Sequence, residues 1–217
     1  MSITENLQQI TSSIPATITL VAVSKTKPVS DIQKAYNAGH RVFGENKVQE
    51  MEAKWKELPE DIQWHMIGHV QRNKVKYMAP FVSLIHSVDS PRLLKEINKQ
   101  GKKNNRLIDC LLQLRIAEED TKFGMTEAAI TALLASEETK NFQHVNIKGL
   151  MGMATFTEDT SQLTREFQKL KSFYDSLKQT QQFSVLSMGM SGDYQLAIQN
   201  GSNMIRVGSA IFGERNY

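Results

Sequence analysis

The sequence predicts an α/β protein: a single (β/α)8, TIM-type barrel behind an N-terminal helix, with no second β domain. Three observations carry this expectation. Eight apolar, β-branched segments alternate strictly with segments of helical or turn character along the 217 residues, and such alternation implies parallel strands joined by crossover helices. No linker interrupts the alternation, so residues 1–217 are expected to be one domain, with the helix at 1–16 and the barrel at 17–217. The length lies near the low end for a closed barrel. An open doubly wound sheet is the alternative architecture.

Each element has its own signal. Ile3, Leu7, Ile10 and Ile14 recur at helical spacing ahead of Pro15. TITLVAVSK (17–25) is β-branched and apolar, a buried strand. VSDIQKAYNAG follows as a helix, with Ser30 the expected N-cap and Gly39 its stop. RVFGEN is the second strand and KVQEMEAKWKEL a charged helix ending at Pro59. WHMIGH and SLIHSVD are the third and fourth strands, with a short helix, VQRNKVKYMA, between them. Pro91 opens PRLLKEINKQG and Gly101 closes it. IDCLLQLRI and its helix TEAAITALLASEE are followed by NIKGLMGMA and the long helix 158–180. FSVLSMGM, DYQLAIQNG and NMIRVGSAIFG supply the seventh strand, a helix, and the eighth strand with its exit loop.

Composition narrows the function classes. Hydrophobic residues make up 40% and charged residues 23%, as in an ordinary soluble chain, and no apolar run reaches the length of a membrane helix. The single cysteine, Cys110, cannot form an internal disulfide, and no Cys/His cluster has zinc spacing. MSITENLQQI lacks the order of a signal peptide, so a cytoplasmic location is expected. A net charge of +3 gives no footprint for nucleic acid.

A barrel places its chemistry at the C-terminal ends of its strands, with phosphate on the loops after strands seven and eight. Here those loops are SMGMSGD, with Ser191 and Gly192, and RVGSAIFG, with Gly208 and Ser209. Small residues let backbone N–H groups close on an anion. Strand one adjoins strand eight, and alternation groups Val21, Val23 and Lys25 on its inward face. A lysine rising from that apolar face into the mouth is expected to have a lowered pKa and a nucleophilic amine; Lys27, beside Pro28, reads as an ordinary surface lysine. Met204, Arg206 and Gly208 share a face of strand eight. Arg206 there could bind phosphate, pair with a carboxylate or donate to a ring nitrogen. A nucleophilic lysine facing a phosphate cup suits a phosphorylated aldehyde, and pyridoxal 5'-phosphate (PLP) has both handles.

At these residues the chain resembles the PLP homeostasis proteins, nearly end to end. The resemblance rests on AVSKTKP, FGENKVQE, WHMIGHVQRNK, HSVDS, TKFG (121–124), GLMGMA, LSMGMSGDYQLAI and IRVGSAIFGER. It implies a barrel similar to that of bacterial alanine racemase and eukaryotic ornithine decarboxylase, with PLP on Lys25. It further implies that Ser191, Gly192, Gly208 and Ser209 hold the phosphate, that Arg206 faces the pyridine nitrogen, and that Asn46 lies beside the ring. Gly68-His69-Val70 departs from members that carry proline after the glycine.

The other candidates read as structural. His65 and His69 lack the glutamate a zincin helix needs and lie on a strand, so no metal is expected. His86 is balanced between mouth and core, and Cys110 reads as packing. Glu45 reads as cap and dipole stabilisation at a helix start, and the 158–179 helix as a solvated face. With nothing after the eighth strand, the second domain that completes a racemase site is not expected, and an open pocket follows. The expectation is a monomeric PLP carrier without robust catalysis of its own, affecting amino-acid and keto-acid balance, with apo PLP-dependent enzymes as candidate partners. A single-domain racemase or decarboxylase is the second reading, and a lysine Schiff-base aldolase acting on a sugar phosphate the third.

Overall fold

A computed structural model describes residues 2–118 and 123–214. Thr121 and Lys122 of the TKFG segment, Arg215 of the IFGER segment, and the outer ends of the expected domain lie outside the described residues. Among the described residues, eight parallel strands close into a barrel in sequence order, β1-β2-β3-β4-β5-β6-β7-β8. The closure excludes the open sheet: β1 (Thr19–Val23) pairs with β2 (Val42–Glu45) on one side and with β8 (Met204–Val207) on the other. The intervening strands are β3 (Gln63–Met66), β4 (Leu84–Val88), β5 (Ile108–Gln113), β6 (Val145–Met151) and β7 (Val185–Ser187).

Helix α1 (Ile3–Ser13) starts on a capping box, in which Ser2 and Glu5 each accept the other's backbone N–H, and it buries Leu7 and Ile10. The cap of helix α2 (Val29–Asn37) lies two residues earlier than expected: Pro28, not Ser30, is the N-cap. Helices α3 (Val48–Glu57), α4 (Val75–Met78) and α5 (Pro91–Lys103) follow β2, β3 and β4. The expected helix after β5 is broken at Ser136 into α6 (Glu127–Ala135) and α7 (Glu137–Lys140). Helix α8 (Thr160–Gln181) carries Leu163, Glu166, Phe167, Leu170 and Tyr174 buried on one side, so it is an amphipathic packing helix rather than a solvated one. Helix α9 (Tyr194–Gln199) follows β7, and the expected exit loop of β8 contains a short helix, α10 (Ser209–Phe212).

Two cores follow from strand alternation. Outward residues such as Leu20, Ala22, Phe43, Trp64, Ile85 and Ile205 join the helices in one large cluster. Inward residues Val21, Leu84, Leu111, Met151 and Met204 form a separate cluster inside the barrel. The next inward residues toward the strand C-termini, His86 above Leu84 and Arg206 above Met204, are buried and polar. The barrel is therefore apolar below and polar beneath its mouth.

Candidate functional site

The register of β1 on β8 sets Val21 against Arg206. Two residues further on, Val23 meets Gly208: a Cβ at Gly208 would lie 3.2 Å from the Val23 Cβ and backbone oxygen. The chain continues to Lys25, half-buried at the end of β1. Ser191, on the loop after β7, accepts the Gly208 N–H at 3.1 Å and so joins the two glycine-and-serine loops. Gly192 is exposed with open space around it, and Ser209 is the first residue of α10. Asn46, at the exit of β2, has a buried Oδ1 without a hydrogen-bond partner. Its backbone is pressed against Gly68, where a Cβ would come within 2.4 Å of the Asn46 oxygen. Thus six of the seven residues expected at the site occupy the exits of β1, β2, β7 and β8, neighbours around the barrel, and the seventh, Arg206, lies within β8 beneath them.

Below them lies a hydrogen-bonded chain that sequence reasoning did not assemble. Arg206, 4% exposed, donates to Ser187 Oγ and to the Gly152 oxygen. Ser187 Oγ lies 3.0 Å from His86 Nδ1, and His86 Nε2 lies 3.0 Å from His65 Nδ1. Two neutral tautomer patterns satisfy these contacts: the Ser187 O–H donates to His86 Nδ1 and His86 Nε2–H to His65 Nδ1, or His65 Nδ1–H donates to His86 Nε2 and His86 Nδ1–H to Ser187 Oγ. Burial keeps both rings neutral, depressing His86 well below the usual histidine range and His65 to about 3. The Arg206 guanidinium adds to the depression of His86. Burial also lowers Arg206 itself to about 10, with the Asp193 charge acting the other way. His86 is thus neither mouth nor plain core. It links Arg206 to His65.

Behind β1 and β2 a second polar cluster corrects the reading of Glu45. The residue ends β2, fully buried, and is not a helix cap. Its Oε1 accepts from Ser24 Oγ at 2.6 Å and from Lys54 Nζ at 2.7 Å, while its Oε2 is buried without a partner. Burial pushes the Glu45 carboxyl up, and Lys54 pulls it back. Lys54 also donates to Glu50 Oε1 at 2.7 Å and to the Ser24 oxygen at 2.8 Å. Lys27 is not an ordinary surface lysine: it donates to the Phe212 and Glu214 carbonyls and fastens the exit of β1 to the end of α10.

The opposite rim is held differently. Glu166, on α8, accepts from the Glu118 and Thr155 N–H groups, Thr155 Oγ1 and Gln162 Nε2, and so ties the loops after β5 and β6 together. His69, in the departing Gly68-His69-Val70 segment, pairs with Asp89 at 2.8 Å and stacks on Phe123 at 4.5 Å. Among the described residues, no group of three or more His, Cys, Asp or Glu is placed to hold a metal ion. No helix among them is long and apolar enough to cross a membrane.

Fold and site define a parallel barrel with Lys25 at the exit of β1 beside two glycine-and-serine loops, and a buried arginine beneath them. The alanine racemase N-terminal domain family matches residues 1–216. A pyridoxal phosphate homeostasis protein of Aquifex aeolicus is 39% identical over 91% of this chain and 87% of its own. Another, from Vibrio alginolyticus, is 37% identical over 100% of this chain and 99% of its own. PipY of Synechococcus elongatus, solved with PLP bound, superposes with a TM-score of 0.89 at 35% identity, covering 98% of this chain and 100% of PipY. Alanine racemase of Clostridium difficile shares the fold, with a TM-score of 0.82 at 13% identity, over 100% of this chain and 60% of the racemase. This chain belongs to the pyridoxal phosphate homeostasis proteins, within the alanine racemase N-terminal domain family.

Proposed function

We propose that this protein binds PLP through a Schiff base on Lys25 and holds it reversibly, acting in PLP homeostasis and carriage rather than as a robust catalyst. The observation that carries the reading is the cradle between β1 and β8. A Cβ at Gly208 would press on Val23 at 3.2 Å, the Gly208 N–H is turned toward Ser191, and Lys25 follows Val23 by two residues. When bound, PLP supplies an aldehyde that condenses reversibly with a lysine amine.

The chain's own residues fit the rest of the cofactor. Ser191, Gly192 and Ser209 offer hydroxyl and backbone donors for its phosphate, while Gly208, its N–H held by Ser191, keeps the approach free of a side chain. Arg206 is a buried guanidinium held by Ser187 and Gly152, and in this proposal it faces the ring nitrogen. The buried, unpartnered Oδ1 of Asn46 calls for a donor beside the ring. An arginine at the pyridine nitrogen leaves that nitrogen unprotonated, which weakens the ring as an electron sink and favours holding over turnover. The homeostasis names of its relatives and the PLP bound to PipY support the same reading. In this proposal residues 1–217 act as one monomeric cytoplasmic unit, delivering PLP to apo-enzymes and thereby influencing amino-acid and keto-acid balance.

The test is borohydride reduction of the PLP-loaded protein followed by peptide mapping. The pyridoxyl group is expected on Lys25, and Lys25→Ala is expected to lose both the adduct and the visible Schiff-base band. An adduct on another lysine overturns the assignment. Rapid conversion of any L-amino acid to its enantiomer, amine or keto acid overturns the carrier reading.

A further inference from the structure

Immediately after Lys25 the backbone does something unusual. Thr26 has φ +64°, in the left-handed region that a β-branched residue rarely enters. Such strain persists only where surrounding groups hold it. Here the holding groups are visible. The Thr26 N–H donates to Glu50 Oε1 at 2.6 Å, a charge-assisted bond across 24 positions of chain. The same Oε1 accepts from Lys54 Nζ at 2.7 Å. Lys54 in turn grips Glu45 Oε1 at 2.7 Å and the Ser24 oxygen at 2.8 Å. Ser24 completes the circuit through its hydroxyl on Glu45 at 2.6 Å. The residues on both sides of Lys25 in sequence, Ser24 and Thr26, are thus fastened to one buried ion cluster. Lys54 has three N–H donors, and these three acceptors use all of them.

We propose that Glu45, Glu50 and Lys54 are positioning residues for Lys25: they clasp Ser24 and Thr26, fix the left-handed turn, and thereby aim the Lys25 amine into the mouth. The proposal rests on Lys25 being the lysine that links PLP. It explains why ionised groups lie buried behind a strand end where an apolar core would otherwise pack. Removing the clasp lets the turn relax to ordinary backbone, and the lysine then samples orientations away from the cradle.

The clasp is tested at Glu50, the most exposed of the three, so that the fold survives. Glu50→Ala is expected to weaken PLP about ten-fold in a spectral titration, a change equal to about 1.4 kcal/mol. In the PLP-free protein the same variant is expected to speed exchange of the Thr26 amide. Adding Thr26→Gly or Thr26→Asn, which enter the left-handed region with little strain, is expected to restore most of the affinity. A general loss of packing would not be repaired by those changes. The proposal is overturned if Glu50→Ala leaves the titration unchanged, or if neither Thr26 change rescues it. Lys25→Ala run in parallel separates the two levels. If it abolishes the band while Glu50→Ala leaves the titration unchanged, the clasp fails and the lysine assignment stands. If the band survives Lys25→Ala, the lysine assignment fails and takes the clasp with it.

Discussion

On the inner face of the barrel wall, His65, His86, Ser187 and Arg206 run as one chain of hydrogen bonds with a single cation at its end. On the outer face, behind β1 and β2, Glu45 and Glu50 close around the one ammonium of Lys54. Both groups are buried polar clusters, yet they solve desolvation by opposite means. The inner chain keeps its middle neutral and passes one proton direction along it. The outer cluster cancels charge against charge. The inner cluster should therefore be sensitive to pH and the outer one to substitution.

The largest expected effect tests the outer cluster. Lys54→Met leaves two carboxylates facing each other behind β1, one of them fully buried. Breaking a buried pair by removing one partner costs about 3–5 kcal/mol, read as a fall in the denaturant midpoint at pH 8. Without Lys54 the Glu45 carboxyl rises further. A raised carboxylate pKa gives stability that is present below the unfolded value and lost as pH rises, so the deficit is expected to shrink at pH 5. A deficit independent of pH would show that charge is not what Lys54 supplies.

The inner cluster comes next. His65 and His86 are neutral in the folded protein, with His65 depressed from 6.5 to about 3. A depressed histidine contributes stability above its unfolded value and loses it as pH falls. Below about pH 6.5 each ring should cost about 1.4 kcal/mol per pH unit. Denaturation curves between pH 7 and 5 are expected to show this slope, and His65→Phe to reduce it by about half. A flat profile over that range, or ring resonances that titrate above pH 5, would break the comparison.

What the sequence disclosed and what it hid divide along the same wall. The period of two along a strand placed Val21 and Lys25, and Arg206 and Gly208, on inward faces. The rule that phosphate sits beyond strands seven and eight brought Ser191 and Gly208 together before any coordinates did. The outer cluster needed more than a period. Residues 24, 45 and 54 meet only through the register that pairs Val23 with Gly44 and through the rotation of α3 above it. A lysine in a charged helix looks solvated, and a glutamate before a helix looks like a cap, so neither advertised burial. The strand expected over 17–25 ends at Val23 because the turn at Thr26 takes the chain out of the sheet. The inner chain was half legible. The alternation puts His65, His86 and Ser187 on inward faces, but the register pairs His65 with Leu84 rather than His86, and β4 carries a shift between Ile85 and Val88; local spacing reveals neither.

The smallest effect concerns a third way of burying charge, on the far rim. Among the described residues Glu166 has no ion-pair partner; four donors from Glu118, Thr155 and Gln162 satisfy it instead. Burial pushes its carboxyl up, but the donors outweigh burial and hold it below 4.5. A lowered carboxylate pKa gives stability that is present above the unfolded value and lost as pH falls through the folded one. Glu166→Gln sets an amide N–H against one of those donors and is expected to cost about 1–2 kcal/mol at pH 7. Faster exchange of the Thr155 and Glu118 amides should accompany the loss, and the gap from the parent protein should close below about pH 4.5. PLP affinity should barely move, because the strap lies across β5 and β6 while the cradle lies between β1 and β8. A large loss of PLP binding in Glu166→Gln would mean that the two rims are coupled, and that the mouth works as one unit rather than as a fixed cradle beside a separately fastened rim.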